Sequence, residues 1–188
     1  MLYNEIRERV ESGVVPSTFK YNLNEIIRAL FRTRPANTFE MFGFLSAKLR
    51  KAESGNVLDY GLLSCQKVTQ AFAEYLADSM TASGSYPIDA FDYHGHGTSA
   101  TAEANTQTAL VAEVDTRATG TPTNPTAYVY RSVGTITFAA ANTINEHGIF
   151  SASTSGTMLD RSVLSTPVTG AINDTVEYTY NLTINAEA

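Results

Sequence analysis

The sequence predicts an α+β protein: an N-terminal, mainly helical region over residues 1–84, followed by a small antiparallel β-sandwich over residues 85–188. Three observations lead there. Apolar residues recur at three- and four-residue spacing in the first stretch and at alternate positions in the last. Charge divides in the same place: residues 1–84 hold ten Lys and Arg against nine Asp and Glu, while residues 85–188 hold three Arg against ten acidic residues, and no lysine follows Lys67. Threonine, β-branched and suited to a pleated surface, rises from five in the first part to nineteen in the second. The seam is Thr81-Ala-Ser-Gly-Ser-Tyr-Pro87, a run of linker residues.

The helices follow in order. Residues 2–11 suit a short extra helix. Phe19, Leu23, Ile26, Ile27, Leu30 and Phe31 form one apolar stripe, which Pro35 stops; Arg32 and Arg34 suit its C-terminal end. Asn37-Thr-Phe-Glu40 resembles a capping box and opens a segment through Phe42, Leu45 and Leu49, broken by Gly55 and Asn56. A further stripe runs Val68, Ala71, Phe72, Tyr75, Leu76 and Met80, with Ser64 as its cap. These helices make residues 1–84 a docking region. Its basic concentration, Arg28, Arg32, Arg34, Lys48, Arg50 and Lys51, reads as solvated helix faces or as a surface for an acidic partner.

In the second half the clearest strand is Val176–Ile184. Val176, Tyr178, Tyr180, Leu182 and Ile184 share one face and Glu177, Thr179, Asn181 and Thr183 the other. Tyr128–Phe138 alternates too, with Gly134 expected to mark a bulge or bend. Leu110–Val114, Asn142–Phe150 and Met158–Leu164 are further strands, separated by Gly, Pro and Asn turns.

Composition sets outer bounds. With 188 residues, 43% of them hydrophobic, the chain can bury a core without staples. The single cysteine, Cys65, permits neither an intramolecular disulfide nor a cysteine-based zinc site. No apolar run approaches the ~18–20 residues of a bilayer span. The opening Met1–Glu8 lacks the basic-then-apolar order of a signal peptide, so a soluble protein made inside the cell is expected, without a membrane partner. A net charge of −6 argues against nucleic acid as the main partner.

Asp92-Tyr-His94-Gly-His96-Gly97 is the most chemical string. Two histidines two apart on a strand face one way, and a carboxylate could complete a metal site, with His147 a third ligand if the fold brings it near. The competing and favoured reading is a glycine-rich turn with imidazoles bonded to backbone. Gly95–Thr101 lacks the lysine of a phosphate loop. No Gly-x-Ser-x-Gly elbow supports a hydrolase, and Cys65, beside Leu62 and Leu63, reads as a small buried side chain. The residues therefore predict no catalytic, cofactor-binding or metal site, and no enzyme.

Two stretches carry a family resemblance. Gly95-His-Gly-Thr-Ser-Ala-Thr-Ala through Glu113-Val114 resembles a glycine- and threonine-bearing pattern of many tailed-phage structural proteins. Ile144-Asn-Glu-His-Gly-Ile-Phe150, followed by Gly156–Val163, is similar to an element met in phage tail-fibre, collar and head-decoration proteins. The resemblance spans about residues 66–186, with His147 and Asp160-Arg161 departing from its more usual small or apolar residues. The motif residues sit at turns and strand ends. Glu113 and Glu146 are placed to accept backbone N–H bonds or to pair with Arg117, Arg131 or Arg161. The resemblance implies a virion protein, made in the host cytoplasm: foremost a capsid decoration (cement) protein, bound to the major capsid protein and to copies of itself as a homo-oligomer, bridging capsomers. A tail-associated collar, fibre or tip protein is the alternative. The lysine-free acidic half and the balanced first half would suit head-to-tail packing of copies. A carbohydrate-binding module is a weaker option, because the chain has no Trp to stack on sugars.

Overall fold

A computed structural model describes residues 40–81 and 87–185. They form two antiparallel sheets and one helix. The strands are β1 (Glu40–Arg50), β2 (Val57–Lys67), β3 (Tyr93–Gly97), β4 (Glu113–Thr119), β5 (Thr121–Thr126), β6 (Val129–Thr137), β7 (Asn142–Phe150), β8 (Met158–Gly170) and β9 (Thr175–Asn185); helix α1 is Gln70–Thr81. One sheet has the order β2-β1-β9-β6-β5 and the other β4-β3-β7-β8.

This corrects the α+β expectation: the described chain is predominantly antiparallel β, and Glu40–Arg50 and Val57–Lys67 are strands. The expected helices at 2–11 and 19–31 lie outside the described residues. The expected helix through Leu45 and Leu49 is strand β1. A spacing of four returns a residue to the same side in a strand as well as in a helix, so that pair is ambiguous by itself. The deciding signal is the alternation of Leu45, Ala47 and Leu49, all buried, with exposed Lys48 and Arg50. Gly43 is required on the inner face, because a Cβ there would lie 2.4 Å from the Tyr180 hydroxyl. Gly55, at φ +67°, closes the turn to β2. Lys48 and Arg50 thus stand on a strand, and not on the solvated helix face expected of them.

The helix expected over Val68–Met80 is present as α1, but its cap differs. Thr69 Oγ1 accepts the Phe72 N–H at 3.1 Å, satisfying one orphan donor of the first turn. Ser64 instead lies buried on β2. Phe72 meets Phe91 edge to face at 5.0 Å, and Tyr75 meets the same ring at 4.9 Å. Met80, counted in the apolar stripe, is 83% exposed.

In the second half β9 and β6 lie where alternation places them, β7 coincides with the expected strand Asn142–Phe150, and β8 runs further than expected, to Gly170. The expected strand at Leu110–Val114 overlaps only the start of β4. Gly134 makes no bulge: β6 pairs with β9 without a register shift from Val129 to Thr137. β5, with Pro122 and Pro125, is an exposed edge strand, where a missing N–H is tolerated. The core between the sheets holds Leu45, Leu49, Ile136, Phe138, Ile144, Ile149, Val168, Val176, Tyr178 and Tyr180. Each large side chain so buried contributes roughly 1.5–3 kcal/mol of transfer free energy.

Candidate functional site

The expected glycine-rich turn at Tyr93–Gly97 is strand β3, paired to β4 on one side and β7 on the other. That corrects the turn reading and removes the phosphate-loop reading as well, since the backbone of Gly95 and Gly97 is engaged in a ladder. His94 and His96 share the inward face, as their spacing predicts. His147 on β7 is the direct cross-strand partner of His96, so the fold does bring the third imidazole in. All three are buried.

Their partners are side chains, not the backbone expected. His94 Nδ1 lies 3.1 Å from His147 Nε2, and His94 Nε2 lies 2.8 Å from Ser132 Oγ on β6. His96 Nδ1 is 3.1 Å from the Tyr178 hydroxyl and its Nε2 is 2.8 Å from Asp115 Oδ2. The His147 ring packs on Tyr178 with centroids 4.5 Å apart. Space for His94 comes from two glycines: a Cβ on Gly134 would lie 2.5 Å from its ring, and one on Gly120 would lie 2.7 Å from its Nε2. Asp115 reaches His96 because β4 bulges there. The β3–β4 register shifts between His94 and His96, and Asp115 adopts φ +60°, turning its carboxylate inward. Its other oxygen accepts the Ala139 N–H at 2.9 Å.

Burial keeps these rings neutral. It pushes His94 down to about 3. It pushes His147 well below the usual imidazole range, helped by repulsion from His94 and His96. His96 is lowered by burial too, against the opposing pull of Asp115. Nearby on β8, Asp160 is raised to about 7 by burial, although Ser162 Oγ donates to it at 3.0 Å and the Tyr180 hydroxyl at 3.1 Å. Asp115–His96–Tyr178 has the connectivity of a hydrogen-bonded triad, but His96 and Tyr178 are sealed from solvent. Among the described residues no group of three His, Cys, Asp or Glu side chains converges as a metal site. Burial also pushes the Cys65 thiol up, away from nucleophilic thiolate.

A second buried polar system occupies the opposite, outer face of the same four-stranded sheet. Residues 98–112 cross it as a strap between β3 and β4. Glu146 fastens the strap: its carboxylate accepts the Ala112 N–H at 2.7 Å, the Val111 N–H at 3.1 Å and Arg161 Nε at 2.7 Å. Arg161 in turn donates to the Thr101 carbonyl and to Gln107 Oε1, each at 3.1 Å. The Glu103 carboxylate accepts the Val163 N–H. Leu110 packs with Phe150 and Met158 beneath the strap. Glu113 and Arg117 form a bidentate pair at 2.6 and 2.9 Å, with the guanidinium 3.4 Å from the Phe150 ring centroid. So Glu146 both accepts backbone N–H bonds and pairs with Arg161, and Glu113 pairs with Arg117, as their placement suggests; Arg131 goes to Asn181 instead.

The motif glycines clear the floor for this strap. A Cβ on Gly97 would lie 2.4 Å from the Ala112 carbonyl oxygen and 2.5 Å from Glu146 Oε1, and one on Gly148 would lie 3.1 Å from Leu110. The strap as a unit was not legible in the sequence: Glu146 and Arg161 stand among polar neighbours in the chain, and only the fold brings them against residues 98–112. No family model, curated protein or solved structure matches this chain.

Proposed function

We propose that this chain is a structural component of a tailed-phage particle, foremost a decoration protein that binds the major capsid protein and copies of itself on the head. The observation that carries the reading is the strap. The two stretches with the phage-like pattern, separated in sequence, lie together: residues 98–112 are fastened onto β7 and β8 by Glu146 and Arg161. Glu146 of the second stretch therefore holds Val111 and Ala112 of the first, and Arg161, where the chain departs from the pattern, adds to the same surface shape.

Buried polar groups on the inner face likewise fasten strands to one another. What the fold offers outward is hydroxyl-rich sheet, including the fully exposed Thr121–Thr126 edge. Such a surface supplies many modest contacts, and repetition over a lattice turns modest contacts into shell stability. Counting copies in purified particles by quantitative mass spectrometry tests the proposal. Hundreds of copies per particle support decoration of the head. About a dozen would move the protein to the tail, and absence from mature particles would overturn the virion reading altogether.

A further inference from the structure

The three buried imidazoles are more than the packing needs. An apolar side chain would fill the same space without requiring partners from four strands. We propose that the His147–His94–Ser132 chain is an acid-operated latch, which ties β3 to β7 and to β6 of the other sheet while its imidazoles are neutral and gives way when they take up protons.

The geometry sets the mechanism. The 3.1 Å contact between His94 Nδ1 and His147 Nε2 needs one nitrogen to carry the hydrogen and the other to accept it. His94 continues the chain across the interior to Ser132 on β6 of the five-stranded sheet. The latch thus ties β3 to β7 within one sheet and β3 to β6 between sheets. A first proton can enter while the N–H···N bond survives, at the cost of one buried charge. A second makes both facing nitrogens donors, with two cations in contact, and the bond is lost.

The surroundings offer little compensation. Asp115 on β4 is committed to His96 at 2.8 Å and stabilises a charge there, not on the latch. Glu113, also on β4, pairs with Arg117 on the outer face. Tyr178 and Tyr180 on β9, Tyr130 on β6 and Tyr60 on β2 contribute phenols; burial raises the first three, which keeps them uncharged. Asp92, before β3, is raised chiefly by burial. Asp160 on β8 is held by Ser162 and Tyr180, and it gains its proton, not a negative charge, as the solution acidifies.

The sign follows from linkage. The folded values of these histidines lie below the 6.5 of a free imidazole, so the unfolded chain binds more protons. Their contribution to stability is complete above about pH 6.5 and is lost as pH falls below it. Asp160 and Glu103 titrate in the opposite sense, so the latch is isolated by comparing variants.

The test is equilibrium urea unfolding of the full-length protein at steps from pH 8 to pH 4, for wild type and for His147→Gln, which keeps hydrogen-bonding groups but cannot take up a proton. Wild type should lose folded-to-unfolded ratio more steeply below pH 6.5, by close to an extra factor of ten per pH unit. Native-state hydrogen exchange, corrected for intrinsic rates, should show β3 and β7 opening before β1 and β2. If His147→Gln does not fold, nitrogen-15 NMR of wild-type imidazoles decides: His94 and His147 should remain neutral in the folded protein at pH 5. Parallel pH profiles for the two proteins, or charged imidazoles in an intact fold at pH 5, would overturn the latch.

Discussion

Glu146 and His147 are neighbours in the chain and point to opposite sides of the same sheet. Each heads a buried polar system, and the two are solved differently. On the outer face the Glu146 carboxylate is answered by a guanidinium and two backbone N–H groups. On the inner face His147 is neutral and answered by another imidazole. The first arrangement is a buried carboxylate–guanidinium pair, which removal of either partner breaks. The second depends on its imidazoles staying neutral. Burial is common to both, so it is the charge state that decides which stress each one resists.

The sharpest way to break that contrast is Arg161→Met. It leaves the Glu146 carboxylate buried without its cation and should cost about 3–5 kcal/mol in urea unfolding. Adding Glu146→Gln to it should recover part of the loss, because the stranded charge is then gone. If the single and double variants are equally unstable, the outer site is held by shape and not by charge.

Alanine at two glycines probes the room each system needs. Gly97→Ala presses on the strap at Ala112 and Glu146, and Gly134→Ala presses on the His94 ring. Each should cost about 1–3 kcal/mol. They should differ in where hydrogen exchange accelerates: over residues 98–112 for the first, and over β3 and β6 for the second.

Asp160 separates the two modes by pH. Its folded value of about 7 lies above the 3.8 of a free Asp, so the folded state keeps a proton that the unfolded chain releases. Stability contributed by the protonated acid is therefore lost as pH rises from about 4 through 7. Asp160→Asn abolishes that loss. Relative to wild type, it should gain about 3 kcal/mol between pH 5 and pH 8, read as a shift in urea midpoint. At the bottom of the scale stands Lys48→Ala on the open face of the five-stranded sheet. The Lys48–Asp59 pair is 4.0 Å apart and well exposed, so the change should stay within about 0.5 kcal/mol.

The sequence made some of this legible and hid the rest for physical reasons. β9 was plain because alternation over Val176–Ile184 is strict and one face is wholly core. β1 was misread because Leu45 and Leu49 stand four apart, a spacing both periods share, and because Ala47, Lys48 and Leu49 are good helix formers whose preference the sheet overrides. β3 was hidden by Gly95 and Gly97, which look like turn residues but serve strand positions over which another segment crosses. For the candidate site, the shared face of His94 and His96 followed from their spacing. The arrival of His147 could not be read, since it depends on the register between β3 and β7. The partners Ser132, Tyr178 and Asp115 were equally out of reach, because they come from strands distant in sequence, and Asp115 only through a bulge.

The proposed role is to supply shape and contact to a phage particle. An averaged electron cryomicroscopy map of the intact phage carrying it tests that most directly. The account predicts two-layered β density of this size repeated at equivalent positions over the outer head surface. A head and tail fully explained by other proteins, with no density that this sandwich fits, would contradict it.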